Sequence, residues 1–156
     1  MLLVCSEAMY AGIEVLKPHL KGDGIDTAEK ALIGVVEGDT HDIGKNLVKL
    51  MLESSGFQVH DLGRDVPLQE FPNGAEQVGA KLICISTLMT TGMDGMEEMI
   101  RMLEAEGARE RYRIMVGGGP ISQAFADRIG ADGYAPDAVS AVKKARQLLS
   151  DLKRLR

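Results

Sequence analysis

The sequence predicts an α/β fold in which a parallel β-sheet is covered by helices on both faces. Short apolar runs alternate with longer segments of helical periodicity over most of the chain. The apolar runs are nearly continuous and do not alternate with polar residues, which is typical of parallel strands buried on both faces. Glycine-rich or polar turns separate the runs from the helical segments, as repeated βαβ units require.

A separate helical segment precedes these units. The apolar periodicity predicts a helix over residues 2–20, in which Pro18 ends the regular part. Residues 22–30 are polar and glycine-rich and predict a linker. The sequence therefore predicts an N-terminal helix at 1–21, the linker, and an α/β domain at 31–156.

Five strand–helix units make up the predicted domain. The predicted strands cover residues 31–38, 57–63, 81–86, 112–119 and 131–135. The predicted helices cover residues 42–56, 67–80, 92–107, a short stretch ending near 129, and 136–155. The second of these is a poor helix, which Pro72, Asn73 and Gly74 are expected to interrupt. Five such units favour a flavodoxin-like, doubly wound sheet with the strand order 2-1-3-4-5.

The composition narrows the function classes. Of 156 residues, 45% are hydrophobic and 26% charged, which indicates a globular protein, not a disordered or membrane-embedded one. The formal net charge of -5 argues against a nucleic-acid partner. The N-terminal "MLLVC" is too short for a membrane span and lacks the basic segment of a signal peptide. Cys5 and Cys84 lie in apolar runs and are interpreted as free thiols in a cytoplasmic protein.

Candidate site residues follow the predicted strands. Open parallel sheets bind ligands beyond the carboxyl ends of their strands, near the point where the strand order reverses. The residues placed there are mostly small or hydroxyl-bearing, with one imidazole. They are Asp39, Thr40, His41, Asp42 and Gly44 after the first strand, Ser86, Leu88 and Thr90 after the third, Gly117, Gly118 and Gly119 after the fourth, and Tyr134 and Ala135 in or after the fifth.

His41 provides the one imidazole in this set, and its side chain is the most versatile chemically. A histidine at this position could cap a helix, act as a base or bind a metal. Asp39 lies two residues away and could hold the imidazole in one tautomer, while Ser86, on the neighbouring strand, could hydrogen-bond to Asp39. One histidine is a poor site for bare zinc or iron. It is adequate as an axial ligand to a metal that a macrocycle already holds.

Three separated motifs resemble the cobalamin-binding domain of corrinoid proteins and methionine synthases. That family carries D-x-H-x-x-G, then S-x-L, then G-G. Here the first motif is Asp39, His41 and Gly44. The second, after residues 45–85, contains Ser86 and Leu88, and the third, after residues 89–116, is Gly117 and Gly118. The resemblance covers residues 31–149.

The resemblance implies a cofactor and roles for these residues. The cofactor would be cobalamin, as methylcobalamin or a related corrinoid, and His41 would be the lower axial ligand to its cobalt. Asp39 and Ser86 would tune and protonate the imidazole. Gly44, Gly117 and Gly118 would leave room for the displaced nucleotide tail. Weaker candidates for contacts with the cofactor are Thr40, Asp42, Leu88, Thr90, Gly119, Tyr134 and Ala135.

The implied function is that of a methyl carrier. The chain would be the carrier subunit between a substrate-specific methyltransferase and a methyl-accepting methyltransferase, and whether it counts as an enzyme by itself is left open. A non-catalytic cobalamin sensor or storage module and the small subunit of a cobalamin-dependent mutase are the alternatives. Residues 1–21 resemble the last helix of the four-helix cap of such carriers. A cap reduced to this remnant would leave an exposed face, and we expect either a homo-oligomer through that face or a truncated gene product.

Overall fold

The computed structural model describes residues 2–19 and 29–155. The described residues contain six α-helices and one five-stranded sheet. The strands are β1 (Lys30–Val36), β2 (Gln58–Val66), β3 (Leu82–Ser86), β4 (Arg113–Gly117) and β5 (Gly133–Tyr134). The helices are α1 (Leu2–Leu16), α2 (Ile43–Ser54), α3 (Glu70–Val78), α4 (Thr90–Ala105), α5 (Gln123–Ile129) and α6 (Ala138–Arg154).

The sheet topology confirms the predicted fold class. All neighbouring strands are parallel and their order is β2-β1-β3-β4-β5. The chain leaves β1 towards β2 on one side and later returns to β3 on the other side of β1. The order therefore reverses between β1 and β3, and a crevice is expected at the carboxyl ends of these two strands.

Each face of the sheet has its own apolar core. The helices α3, α4 and α5 cover one face, where Phe71, Met96 and Phe125 pack against Leu32 and Ile83. On the opposite face, α2 and α6 pack against the side chains that alternate with these along the strands. Both faces are covered, which explains why β1, β3 and β4 consist of nearly continuous apolar runs.

The prediction that the second helix is interrupted is wrong, because α3 continues through Pro72, Asn73 and Gly74. Pro72 lies in the first turn of α3, where a backbone N–H would have no helical acceptor. Gly74 is buried, and a Cβ there would lie 3.2 Å from Leu32 Cδ1. Gly74 is therefore a close contact between helix and sheet. The helix α3 ends at Val78 and is followed by Gly79, whose φ is +72°.

The predicted N-terminal helix is present as α1, and a short 3₁₀ turn over Lys17–His19 follows it. The Asn46 side chain of α2 donates a hydrogen bond of 2.9 Å to the hydroxyl of Tyr10 in α1. The predicted linker lies outside the described residues, except for its last two residues, and Lys30 already belongs to β1. In the described parts of the chain, every helix is too short or too polar to cross a membrane.

Candidate functional site

The candidate site lies where the loops after β1 and β3 meet. The chain turns sharply after β1, and the N–H of Asp39 donates back to the carbonyl oxygen of Val36 at 3.1 Å. This turn directs the Asp39 side chain under the loop, where Asp39 is fully buried. His41 lies two residues further on, and 55% of its side chain is exposed.

Asp39 binds both the backbone and the ring of His41. Its Oδ1 accepts a hydrogen bond of 2.9 Å from the His41 backbone N–H. The same oxygen lies 2.6 Å from Nδ1 of the imidazole. One carboxylate oxygen therefore fixes the start of the loop and the orientation of the ring, as the sequence analysis predicted for this pair.

Thr87, and not Ser86, continues this polar chain. The Thr87 hydroxyl donates to Asp39 Oδ2 at 2.6 Å, and the Leu88 backbone N–H donates to the same oxygen at 2.7 Å. The prediction that Ser86 binds Asp39 is wrong because side chains alternate along a strand. Ser86 lies on the same face as Cys84, towards α2 and α6, whereas Thr87 is buried on the other side of the loop.

The surroundings of Asp39 determine its protonation. Burial alone raises the pKa of a carboxyl group, but the hydrogen bonds from Thr87, the His41 and Leu88 backbones and the His41 ring outweigh it. They hold the pKa of Asp39 well below its usual range, so the group is an acceptor at neutral pH.

An ionised Asp39 also determines which tautomer His41 adopts. Because the carboxylate can only accept, a neutral His41 carries its proton on Nδ1. Its Nε2 then keeps a free lone pair. Within the described part of the chain, no group of three His, Cys, Asp or Glu side chains is arranged to hold a metal ion. A neutral imidazole with a free Nε2 can act as a single axial ligand to a metal.

A cleft of about 400 Å³ extends from His41 along the face of the sheet that α2 and α6 cover. This volume lies within the range of small-molecule sites, roughly 300–1,000 Å³. Residues of β1, β3, β4, α2 and α6 and of the loops at the carboxyl edge border it. They are Ile33, His41, Gly44, Lys45, Leu47, Val48, Cys84, Ile85, Ser86, Leu88, Met115, Val116, Gly117, Gly118, Gly119, Tyr134, Ala135, Pro136, Asp137, Ala138 and Ala141.

The cleft brings together most of the residues that the sequence analysis proposed. The predicted residues that border it are His41, Gly44, Ser86, Leu88, Gly117, Gly118, Gly119, Tyr134 and Ala135. Asp39 lies behind His41, and Thr40, Asp42 and Thr90 do not border the cleft. Tyr134 pairs with Val116, and its side chain packs against the core on the opposite face. Its contribution to the cleft is therefore expected to be its main chain.

A side chain would have different effects at two of the predicted glycines. Among the described residues, apart from its chain neighbours and the backbone of α2, no atom lies within 4 Å of a Cβ built on Gly44, so its absent side chain leaves open space beside the cleft. At Gly118, φ is +122° and a Cβ would lie 1.8 Å from the carbonyl oxygen of Thr87. Gly118 is therefore required by the backbone of the loop after β3, whatever occupies the cleft.

The sequence analysis missed the walls that helices contribute. Leu47 and Val48 of α2 and Ala138 and Ala141 of α6 border the cleft, since the packing of α2 against α6 brings them together. It also missed Lys45, whose nearly buried Nζ lies 2.7 Å from both carboxylate oxygens of Asp61. A signal was present in the sequence, since Lys45 directly follows Gly44 of the first motif, at the start of the predicted helix.

Comparisons with known proteins agree on one family. The family model described as "B12 binding domain" matches residues 29–143. Dimethylamine corrinoid protein 1 of Methanosarcina mazei is 49% identical over 150 residues, which are 95% of this chain and 69% of that protein. A corrinoid protein of Desulfitobacterium hafniense is 42% identical over 151 residues, which are 95% of this chain and 70% of that protein.

Two solved structures resemble the fold closely. The monomethylamine corrinoid protein of Methanosarcina barkeri superposes with a TM-score of 0.80 at 40% identity, covering 90% of this chain and 66% of that one. A chain of the methanol:cobalamin methyltransferase complex of the same organism gives a TM-score of 0.74 at 34% identity, covering 93% and 55%. The chain thus spans 69% and 70% of the length of these two relatives and 55% of the latter chain.

Proposed function

Because the chain belongs to the B12-binding domain family, we propose that it carries methyl groups on a corrinoid whose cobalt is bound by Nε2 of His41. The cofactor of this family is cobalamin or a related corrinoid, which contains cobalt. When bound, the corrinoid supplies the metal that accepts and releases the methyl group. The protein supplies the axial ligand, the orientation and the binding energy.

The observation that carries this proposal is the geometry of His41. Asp39 holds its Nδ1 at 2.6 Å, and the carboxylate is held in turn by Thr87 and Leu88. Histidines that bind metals commonly donate their other ring N–H to a carboxylate, which fixes the ring and raises its basicity. The His41 side chain is 55% exposed, so its ring is accessible to a ligand.

The surface around His41 fits the apolar part of a corrin ring. Ile43, Leu88 and Met89 are large apolar residues that are 42%, 52% and 37% exposed, and all lie in the two loops or helix starts next to His41. Exposed apolar side chains concentrated around one polar group are typical of a ligand site. A flat, largely hydrocarbon cofactor would cover them.

The cleft fits the nucleotide tail of the cofactor. A histidine ligand takes the position that the cofactor's own base would otherwise occupy, so the tail must be accommodated elsewhere. The cleft begins at His41 and has open space at Gly44, where the main chain of α2 borders it. Ser86 and Gly117, which pair across β3 and β4, form its wall near the carboxyl edge.

Methyl carriage is favoured among the uses of a corrinoid by the relatives. Relatives that are 48–49% identical are named dimethylamine corrinoid proteins, and a structurally similar chain belongs to a methanol:cobalamin methyltransferase complex. We propose that this chain likewise works between a substrate-specific and a methyl-accepting methyltransferase. Its N-terminal helix α1 is proposed to belong to a helical cap, and self-association through that helix stays a prediction.

The first test is the visible spectrum of the purified protein after mixing with hydroxocobalamin and desalting. Wild type is expected to retain the corrinoid with a spectrum that depends on His41. His41→Ala is expected to lose that contribution, because alanine offers no ligand, and to give the spectrum of water-ligated or base-ligated cobalt. His60→Ala is the matched control, since His60 is an exposed histidine on β2 and does not border the cleft.

Identical spectra for wild type and His41→Ala, with corrinoid retained, would contradict the ligand assignment alone. A wild-type protein that retains no corrinoid would contradict the proposed function as a whole.

A further inference from the structure

The deep part of the cleft is formed by one row of apolar side chains across the sheet. Ile33 of β1 pairs with Cys84 of β3, and Cys84 pairs with Met115 of β4. All three border the cleft and are at most 4% exposed. Because paired residues of parallel strands point to the same side, these three side chains form a continuous apolar floor.

Polar side chains border the cleft closer to the carboxyl edge. Ser86 lies two residues beyond Cys84 on the same strand face and pairs with Gly117. His41 and Asp137 belong to the loops beyond the strand ends. The polar side chains named here therefore lie towards the mouth, together with the exposed Leu88, whereas the floor is apolar throughout.

The side chains that the helices contribute to the cleft walls are apolar like the floor, with one exception. Leu47, Val48 and Ala141 are apolar, whereas Lys45 is charged. Its Nζ donates to both oxygens of Asp61, which pairs with Ile33 from the β2 side. The ion pair therefore lies beyond Ile33, at the end of the row that is farthest from Met115. The charge of Lys45 is already paired with Asp61.

The row also carries no charge of its own. Burial raises the pKa of the Cys84 thiol to about 12, so the side chain stays neutral and behaves as a small apolar group. A ligand that reaches the row from the mouth finds no strong hydrogen-bond partner between Ile33 and Met115.

We propose that this row selects corrinoids whose lower base, the heterocycle at the end of the nucleotide tail, has an all-carbon six-membered ring. This inference rests on the proposed function. The base is the terminal group of the tail, and a tail that enters the cleft at His41 would bring it to the apolar floor. The six-membered ring of a benzimidazole has only carbon atoms to bury. That of adenine has two ring nitrogens and an amino group, which would lose their hydrogen bonds to water against Ile33, Cys84 and Met115.

The test is the equilibrium binding of three corrinoids to the full chain. They are hydroxocobalamin, its counterpart with adenine as lower base, and cobinamide, which has no base. Cobalamin is expected to bind at least about tenfold more tightly than the adenine form, since a buried polar group without a partner costs roughly ten- to a hundredfold in affinity. The affinity for cobinamide, which lacks the base, measures how well each variant still binds the rest of the cofactor.

Two substitutions at one position locate the effect. Cys84→Ser places a hydroxyl in the row and is expected to reduce the preference for cobalamin over the adenine form at least about threefold. Cys84→Ala keeps the row apolar and should keep the preference. Both changes remove or replace a single atom, and the affinities are compared as ratios within each variant.

Equal wild-type affinities for the two bases would overturn the inference and leave the proposed function standing, provided that the spectrum still depends on His41. Equal effects of Cys84→Ser and Cys84→Ala on the ratio would overturn the assignment to the row. If none of the corrinoids binds, the proposed function and this inference both fail.

Discussion

At the scale of single residues, the Thr87 hydroxyl is the outermost link of the chain that holds His41. It donates to Asp39 Oδ2 and accepts a hydrogen bond of 3.1 Å from the Met89 backbone N–H. Thr87→Val keeps the shape and removes both bonds. We expect a loss of about 1–3 kcal/mol in the free energy of unfolding, because a buried carboxylate loses a donor. Urea denaturation measures it.

Two further variants control for this result. Thr87→Ser keeps the hydroxyl and should retain most of the stability. Ser86→Ala removes the neighbouring hydroxyl, which does not bind Asp39, and should change stability by less than about 0.5 kcal/mol. The polar chain is misassigned if Ser86→Ala costs more than Thr87→Val.

The contacts of Asp39 show which part of the site the sequence could predict. Asp39 and His41 are two residues apart in one loop, so their contact followed from local geometry alone. The choice between Ser86 and Thr87 depends on the residue at which β3 ends and the loop turns, because consecutive side chains point to opposite faces. The predicted end of the strand at residue 86 agrees with β3, but the apolar run gives no sign of which face Ser86 points to, so the sequence could not decide between the two.

Lys45 and Asp61 form a second residue-scale feature with a measurable pH dependence. Burial would raise the pKa of Asp61, but the hydrogen bond from Lys45, the Gly63 N–H and the charges of Lys45 and Lys49 outweigh it and lower that pKa. The folded carboxyl group therefore releases its proton more readily than the unfolded one. Its contribution to stability is complete above the unfolded pKa, near 3.9, and is lost as the pH falls through the lower, folded value.

Asp61→Asn is expected to lower the free energy of unfolding by about 2–4 kcal/mol at neutral pH, because Lys45 keeps a buried charge without its partner. It should also flatten the loss of stability on acidification. Urea denaturation at a series of pH values compares it with Asp94→Asn, which changes an exposed aspartate on α4. Parallel curves for wild type and Asp61→Asn would show that the ion pair does not contribute as described.

At the scale of elements, Gly118 in the loop after β4 and Gly44 at the start of α2 differ in what a side chain there would disturb. Gly118→Ala is expected to cost more than about 3 kcal/mol, since its φ is +122° and a Cβ would overlap the Thr87 carbonyl oxygen. Gly44→Ala in α2 should fold at least as stably as wild type, because alanine favours helix and has open space there. It should instead weaken corrinoid binding, as the new methyl group borders the cleft.

Thermal denaturation and corrinoid binding together separate the two effects. A Gly118→Ala protein as stable as wild type, or a Gly44→Ala protein that is destabilised yet binds normally, would contradict the distinction between them.

The elements themselves were predictable to different degrees. The central strands of the sheet could be predicted from the sequence because β1, β3 and β4 are nearly continuous apolar runs. β2 runs beyond its predicted end to Val66, through polar residues that an edge strand tolerates. The helix α3 was misjudged because Pro72 is harmless in a first turn, and only the packed structure shows that Gly74 is a close contact with Leu32.

At the scale of the whole molecule, the reversal of strand order between β1 and β3 creates the site. It brings the His41 loop beside the Thr87–Leu88 segment and opens the cleft on the α2 and α6 face. The alternation of strands and helices predicted this edge, since topology alone determines where such sheets bind ligands. The cleft walls depend on how α2 packs on α6, and periodicity does not specify that packing.

The central claim is that a nitrogen of His41 binds the cobalt of the corrinoid. The most direct measurement is the electron paramagnetic resonance spectrum of the loaded protein in the Co(II) state, with natural and with ¹⁵N-labelled histidine. A single axial ¹⁴N nucleus splits each cobalt line into a triplet, and ¹⁵N splits it into a doublet. We predict that the triplet becomes a doublet on labelling. A triplet that persists in the labelled protein would assign the axial nitrogen to the cofactor's own base and contradict the account.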